Sequence, residues 1–359
     1  MKKNLLIVLF MMLMLPCIIQ AQTECANNGS PCSVTFNLED SYGDGWGGGY
    51  LSIYQGGNLV DTLTLSGDSR TVTLQLCPEP ITLGWNPGAD NNECSFEVTD
   101  VENIVIFSSD FGSLGNSATT LGVVNITCPT CFSPQNFRTT SNTSTSVSLQ
   151  WAVSSTPGLS YEIMYGPSDF SPESTVVASN IRTISLETTA TTTTINGLSY
   201  DSIYYFYIRN ICNSDEQSRW IGPVKVRPGS HNIGTSGNSS ITSCGAYIYD
   251  NGGIDGNYSA GCNGSITVYP SDSNSLVVIS GTLISNSNTN NKLTFYDGTS
   301  TSATEIAVYT GNNNTPVVIP EIMSTTGPIT IKFQSNYSTS YAGFELRTSC
   351  VDRPTCALI

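Results

Sequence analysis

The densest concentration of chemistry-bearing side chains lies at Asp40-Ser-Tyr-Gly-Asp44-Gly-Trp46-Gly-Gly-Gly49. Glu39, Asp40 and Asp44 bring three carboxylates into one short loop. The interleaved glycines let the backbone turn tightly, because a residue without Cβ enters positive φ at no steric cost. Hard oxygen ligands gathered by such a turn suit Ca²⁺, which makes these three the candidate metal ligands and Ca²⁺ the candidate cofactor. A second acidic stretch, Asp90-Asn-Asn-Glu93, offers Asp90 and Glu93 as further ligands if the fold sets it opposite the first. The same residues also suit a plain tight turn, with the aspartates accepting local backbone N–H groups and Trp46 plugging the end of the fold. Tyr42 and Trp46, if both stand on the surface, form a stacking platform for sugar rings.

Catalytic arrangements find little material. His231 is the only histidine, and its neighbours Pro228, Gly229 and Ser230 place it in a linker. That removes Ser-His-Asp, Cys-His and H-E-x-x-H chemistry. Neither a G-x-S-x-G elbow nor a G-x-x-x-x-G-K-[ST] loop occurs. Two carboxylates would suffice for glycoside hydrolysis, but nothing in the sequence pairs them, and the chain is expected not to be an enzyme.

The elements that position these residues read as strands. Of 359 residues only 11% are charged, Ser, Thr, Asn and Gly are abundant, and no long helical periodicity appears. The length allows two to four domains. A net charge of −15 opposes nucleic acid and anionic membranes and suits cations or neutral glycans. Lys2 and Lys3, the apolar run from Leu5 to Leu15 and the small-residue site ending at Ala21 have the build of a secretory signal peptide over 1–21. No second apolar stretch follows, so no transmembrane segment is expected in the exported chain. Twelve cysteines in an exported protein point to disulfides. With Cys17 in the leader, an odd number remains.

Alternating runs at Val34-Phe36-Leu38, Leu51-Ile53, Leu63-Leu65, Val72-Leu74-Leu76, Phe96-Val98 and Ile104-Ile106 predict an antiparallel β-sandwich over 23–130. Its D-S-Y-G-D-G-W stretch resembles an element of β-sandwich modules in large secreted proteins of Bacteroidetes-type bacteria, with Gly47 where Asn is usual.

Over 131–229, Val147-Leu149-Trp151, Tyr161-Ile163-Tyr165, Thr194-Ile195, Trp220 and Val224-Val226 resemble a fibronectin type III domain. Leu198 and Tyr204, within the period-two run from Leu198 to Ile208, match its tyrosine corner, in which the phenol bonds back to the chain upstream. Cys131 and Cys212 stand at the start of the first strand and the end of the sixth, and are expected to pair.

Over 238–350, Cys244-Gly245, Tyr249-Asp250-Asn-Gly-Gly253, Gly256-Asn-Tyr258-Ser259, Cys262, Leu293-Thr-Phe295-Tyr-Asp297-Gly298 and Gly343-Phe344-Glu345 resemble a CUB domain, a jelly-roll-like sandwich. The resemblance implies that Cys244 and Cys262 form the family's first disulfide, leaving Cys350 for Cys356 or, in a rearranged pairing, for Cys244. Many CUB domains bind calcium through acids at two positions that here hold Asn291 and Asn336, so that site is not expected intact, and Asp297 is expected as a turn residue.

Pro354-Thr-Cys356 repeats Pro129-Thr-Cys131, so 351–359 reads as the start of a further module or as a tail. The expected protein is thus all-β, with three tandem β-sandwich modules after a signal peptide. It is secreted or at the cell surface, non-catalytic, and binds extracellular glycan or protein ligands. The alternatives are the ancillary region of a larger exported hydrolase and a structural spacer.

Overall fold

The computed structural model describes residue 25 and residues 29–156, 158–174, 178–200, 202–338 and 340–354. The leader assigned to 1–21 and the reading of Cys356 lie outside these residues. The fold is all-β, built from tandem β-sandwiches; the one helical element among the described residues is the 3₁₀ turn Asn91–Glu93. The chain divides between Thr130 and Cys131 into two compact units.

The first unit holds β1 (Cys32–Asp40), β2 (Tyr50–Gln55), β3 (Asn58–Leu63), β4 (Ser69–Leu76), β5 (Pro80–Asn86), β6 (Cys94–Thr99), β7 (Val105–Ser109) and β8 (Thr119–Asn125). They form two four-stranded sheets, β4-β1-β6-β7 and β3-β2-β5-β8, antiparallel throughout. Period-two alternation places Val34, Phe36 and Leu38 inward from one sheet and Leu51, Ile53, Leu83 and Trp85 inward from the other. Cys25–Cys77 and Cys32–Cys128 are disulfide-bonded. The pattern predicted six strands here. The structure adds β5, whose Pro80 and Gly84 mask the alternation of Ile81, Leu83 and Trp85, and β8. It also ends β3 at Leu63 and begins β7 at Val105 rather than Ile104.

The second unit begins with β9 (Gln135–Thr143), β10 (Ser146–Ala152), β11 (Ser160–Gly166), β12 (Arg182–Glu187), β13 (Thr192–Asn196), β14 (Tyr204–Ile211) and β15 (Ile221–Val226). These form sheets β13-β10-β9 and β12-β11-β14-β15. Trp151 is buried between them, edge-on to Tyr161 at 5.6 Å. The run from Leu198 to Ile208 is a strand only from Tyr204 onward. Leu198 is buried and Tyr200 exposed in the turn before it, and the Tyr204 phenol oxygen accepts the Ser199 N–H at 3.1 Å. Cys131 bonds Cys212.

The same unit continues with β16 (Ser230–Asn232), β17 (Ser236–Thr242), β18 (Tyr247–Tyr249), β19 (Asn263–Tyr269), β20 (Ser275–Ile284), β21 (Lys292–Asp297), β22 (Thr304–Tyr309), β23 (Val317–Met323), β24 (Ile329–Gln334) and β25 (Gly343–Asp352). Two five-stranded sheets result, β16-β18-β25-β20-β23 and β17-β19-β24-β21-β22. The expected linker around His231 is instead β16, paired in parallel with β18, so the third sandwich starts directly after Gly229. Arg227 fastens the junction, its guanidinium 3.7 Å from the Tyr247 ring centre and 3.5 Å from the Glu345 carboxylate.

The pairing of Cys244 with Cys262 is corrected: Cys244 bonds Cys350, and Cys262 is a buried free thiol. The parallel register explains it. Ser236 lies opposite Asn263 and Thr242 opposite Tyr269, so Cys244 and Cys262 sit just beyond opposite ends of the β17/β19 ladder, which alone spans about 20 Å at the usual strand rise. Meanwhile the Thr348 N–H bonds to the Ala246 carbonyl, which brings Cys244 and Cys350 to a Cα separation of 5.1 Å.

Candidate functional site

The acidic loop joins β1 to β2 at one end of the first sandwich. The antiparallel register sets Asp40 opposite Cys94, and the Ser41 N–H bonds to the Glu93 carbonyl at 3.0 Å. Glu93 is therefore held against the loop from a distant part of the chain. Ligand oxygens of Asp40, Asp44 and Glu93 all lie within 4.8 Å of one another. Glu39 is not in this group: alternation along β1 turns its side chain to the outer face, where it lines a hollow with Glu97 and Asp110. Asp90 stands close enough to add to the field on Glu93, whose carboxyl is pushed up by burial and by Asp90, Asp44 and Asp40.

Asp40 has the turn-closing role that the sequence suggested. Its Oδ1 accepts the N–H groups of Tyr42 at 3.1 Å and Gly43 at 2.6 Å, closing the turn. Its Oδ2 is buried without a hydrogen-bond partner, on a residue only 6% exposed. A buried carboxylate oxygen left unpaired carries a desolvation cost that a cation would offset. The free thiol Cys94, fully buried beside this group, has its pKa pushed up to about 12 by burial and by Asp40, Glu93 and Asp90, so it remains protonated.

Trp46 is not a surface platform. It is fully buried, packs edge-on against Trp85 at 5.3 Å and donates its Nε1–H to the Glu39 carbonyl at 3.0 Å. Only Gly fits at 45, where φ is +94° and a Cβ would stand 2.6 Å from the Leu65 carbonyl oxygen. Tyr42 stands alone at the tip, 80% exposed. Glu93 as the third member of the cluster was legible only as part of a second acidic stretch; nothing local distinguishes it from Asp90.

In the third sandwich, Asn291 is fully buried with Oδ1 accepting the Asn336 backbone N–H at 2.6 Å. Asp297 accepts N–H and hydroxyl bonds from Thr325 and Thr326, a turn-fastening role. Asp250 is fully buried at 0% exposure, its Oδ1 accepting the Gly252 N–H and its Oδ2 the Phe344 N–H. Burial nevertheless pushes its pKa up to about 6. A folded pKa above the unfolded one means that the native state holds the proton more tightly, so this stabilisation is fully present below about pH 4 and lost as pH rises through 6. The third module is expected to gain on the order of 2–3 kcal/mol between pH 7 and pH 4 from this group. Asp250→Asn should flatten that part of the pH profile of its unfolding transition. His231, half-buried in β16, has its pKa lowered by burial.

Residues 132–227 match the family model for the fibronectin type III domain. The middle module is a fibronectin type III domain. Solved structures similar to parts of the chain include one described as a myokine structure, at 18% identity over 28% of this chain and 98% of that one, TM-score 0.23. Another is the CUB1-EGF-CUB2 region of rat MASP-1, at 15% identity over 33% of this chain and 45% of that one, TM-score 0.28. A third is the fn3 domain of human collagen alpha-1(XX), at 16% identity over 28% and 90%, TM-score 0.23. No curated protein matches the chain. A fibronectin type III domain goes with a non-catalytic binding or spacer role, and with the four disulfides among the described residues it points to an extracellular setting. No helix among the described residues is long and apolar enough to cross a membrane.

Proposed function

We propose that this chain is a secreted or cell-surface, non-catalytic binding protein for extracellular glycan or protein ligands, with its first module braced by Ca²⁺ between Asp40, Asp44 and Glu93. The observation that carries the calcium reading is the buried, unpartnered Oδ2 of Asp40, on a residue whose carboxylate lies within 4.8 Å of those of Asp44 and Glu93. Three carboxylates supply part of the six to eight oxygens that Ca²⁺ takes, and backbone carbonyls or waters complete such shells. The resemblance of the third module to CUB domains, and the fibronectin type III domain beside it, support a role in adhesion.

Extracellular calcium modules bind with dissociation constants of roughly 10⁻⁴ to 10⁻³ M. About 1 mM Ca²⁺ should then stabilise the first unit by on the order of 0.4 to 1.4 kcal/mol. In calorimetry of the chain from Gln22 onward, one unfolding transition should rise in calcium and fall in chelator. Asp44→Asn with Glu93→Gln should remove the response while sparing the turn that Asp40 closes. Identical melting in calcium and chelator would show that the loop is a turn and nothing more.

A further inference from the structure

The outer face of sheet β3-β2-β5-β8 has a shape and composition that the core does not require. Alternation along β2 sends Leu51 and Ile53 inward and leaves Tyr50, Ser52 and Tyr54 outside. On β5 these stand opposite Asn86, Gly84 and Thr82 respectively. The Tyr54 row continues to Leu59 on β3 and, through Thr82, to Val123 on β8; the Ser52 row continues to Thr62 and, through Gly84, to Thr120.

The outer rows stand high, and the middle row dips at its centre, at Ser52 and Gly84, between the exposed Thr62 and Thr120 at its ends. Tyr50, Tyr54, Leu59 and Val123 are 40%, 38%, 54% and 65% exposed. Gly84 has no side chain, and Ser52 folds down onto it, donating Oγ–H to the Gly84 carbonyl at 3.0 Å and receiving the Asn86 Nδ2–H at 3.1 Å. Ser52 is 5% exposed despite facing outward, and a Cβ on Gly84 would meet its Oγ at 2.8 Å. The result is a shallow groove, deepest over Ser52 and Gly84 and edged there by two tyrosines about 13 Å apart along β2 at the usual rise, with the short side chains of Thr62 and Thr120 at its two ends.

No acid or base stands on these three rows, in a chain of net charge −15. The outer face of the opposite sheet instead carries Glu39, Glu97 and Asp110 around its hollow. A charged polymer or an anionic lipid surface finds no counter-charge in the groove. A neutral chain that offers flat C–H faces to aromatic rings, and hydroxyl edges to amide and hydroxyl groups, matches it. The geometry points to this groove as the binding site for a linear neutral polysaccharide, flanked by Tyr50 and Tyr54 and floored by Ser52 and Gly84. The inference deepens the function proposed above and rests on the chain being an extracellular binding protein; it places the ligand on the sheet face and away from the acidic loop.

Affinity electrophoresis tests it, with the chain from Gln22 onward run through gels containing soluble mixed-linkage β-glucan, xyloglucan or galactomannan, and through gels containing heparin or alginate. At least one neutral polymer should retard the protein and the charged ones should not. Tyr50→Ala and Tyr54→Ala should each weaken retardation roughly tenfold, the size of one lost aromatic contact, with melting unchanged. Chelator should leave retardation intact, and so should Tyr337→Ala, an exposed tyrosine of the third module. Absence of retardation by every neutral polymer overturns the groove assignment, while a calcium-dependent melting shift in the same sample leaves the proposed function standing. Retardation that survives both groove variants but is lost in chelator or in Tyr42→Ala also overturns it, placing the ligand at the loop.

Discussion

Trp46→Ala is expected to destabilise the first unit by about 3 to 5 kcal/mol, the usual cost of deleting a fully buried large aromatic. It should also abolish the calcium response. The indole fills the end of the sandwich against Trp85, and its backbone ties the loop to the segment after β3 and closes the loop on itself: its N–H bonds to the Leu65 carbonyl at 3.0 Å, and its carbonyl accepts the Gly49 N–H at 2.7 Å. Removing the ring leaves a cavity that the two sheets cannot close, and frees the Glu39 carbonyl that its Nε1–H satisfies. A loss of this size is a large fraction of the 5 to 15 kcal/mol that holds a typical domain. Trp46→Phe should fall between wild type and alanine, keeping part of the packing but not the hydrogen bond. Denaturant unfolding of the chain, followed by near-ultraviolet circular dichroism, reads both effects. An alanine variant within about 1 kcal/mol of wild type, below the range for buried aromatics, would show that Trp46 does not hold the loop.

Replacing Cys131 and Cys212 together by serine should cost the fibronectin type III domain about 2 to 5 kcal/mol. The bond ties the segment before β9 to the end of β14 across 81 residues, and most of its effect comes from restricting the unfolded chain. Around it, Asn210 donates its side-chain N–H groups to the Phe132 and Thr156 carbonyls, so the bond also holds a buried polar network in place. Chemical denaturation of the double variant should show one transition moved to lower denaturant and the first unit's transition unmoved, since that unit is closed by its own two bonds. Peptide mapping without reductant should recover Cys131 linked to Cys212. A map that links Cys131 to Cys128 would remove the prediction.

Much of this architecture is local information. Val34, Phe36 and Leu38, or Val147, Leu149 and Trp151, alternate because each strand has one face in a core, and that period survives in the sequence whatever lies across the sheet. The tyrosine corner was legible for the same reason: Leu198 and Tyr204 are close in the chain, and the bond from Ser199 to the phenol spans five residues. Composition and cysteine content spoke for the compartment, because disulfides persist only where the environment is oxidising.

What the sequence could not determine depends on register between distant strands. Glu39 lies next to Asp40 in the chain, yet a strand sends neighbouring side chains to opposite faces, so the third carboxylate of the cluster is Glu93, delivered by the pairing of β1 with β6. Trp46 and Tyr42 are four residues apart in one loop, and only packing against Trp85 decided that the first is core and the second surface. His231 read as a linker residue because a three-residue strand carries too little periodicity to be seen; its parallel partner β18 lies 17 residues further on. Cys244 and Cys262 are near in sequence, but the parallel ladder between them holds them at opposite ends and hands Cys244 to Cys350, because a disulfide forms only where the fold brings two Cα atoms within about 7 Å.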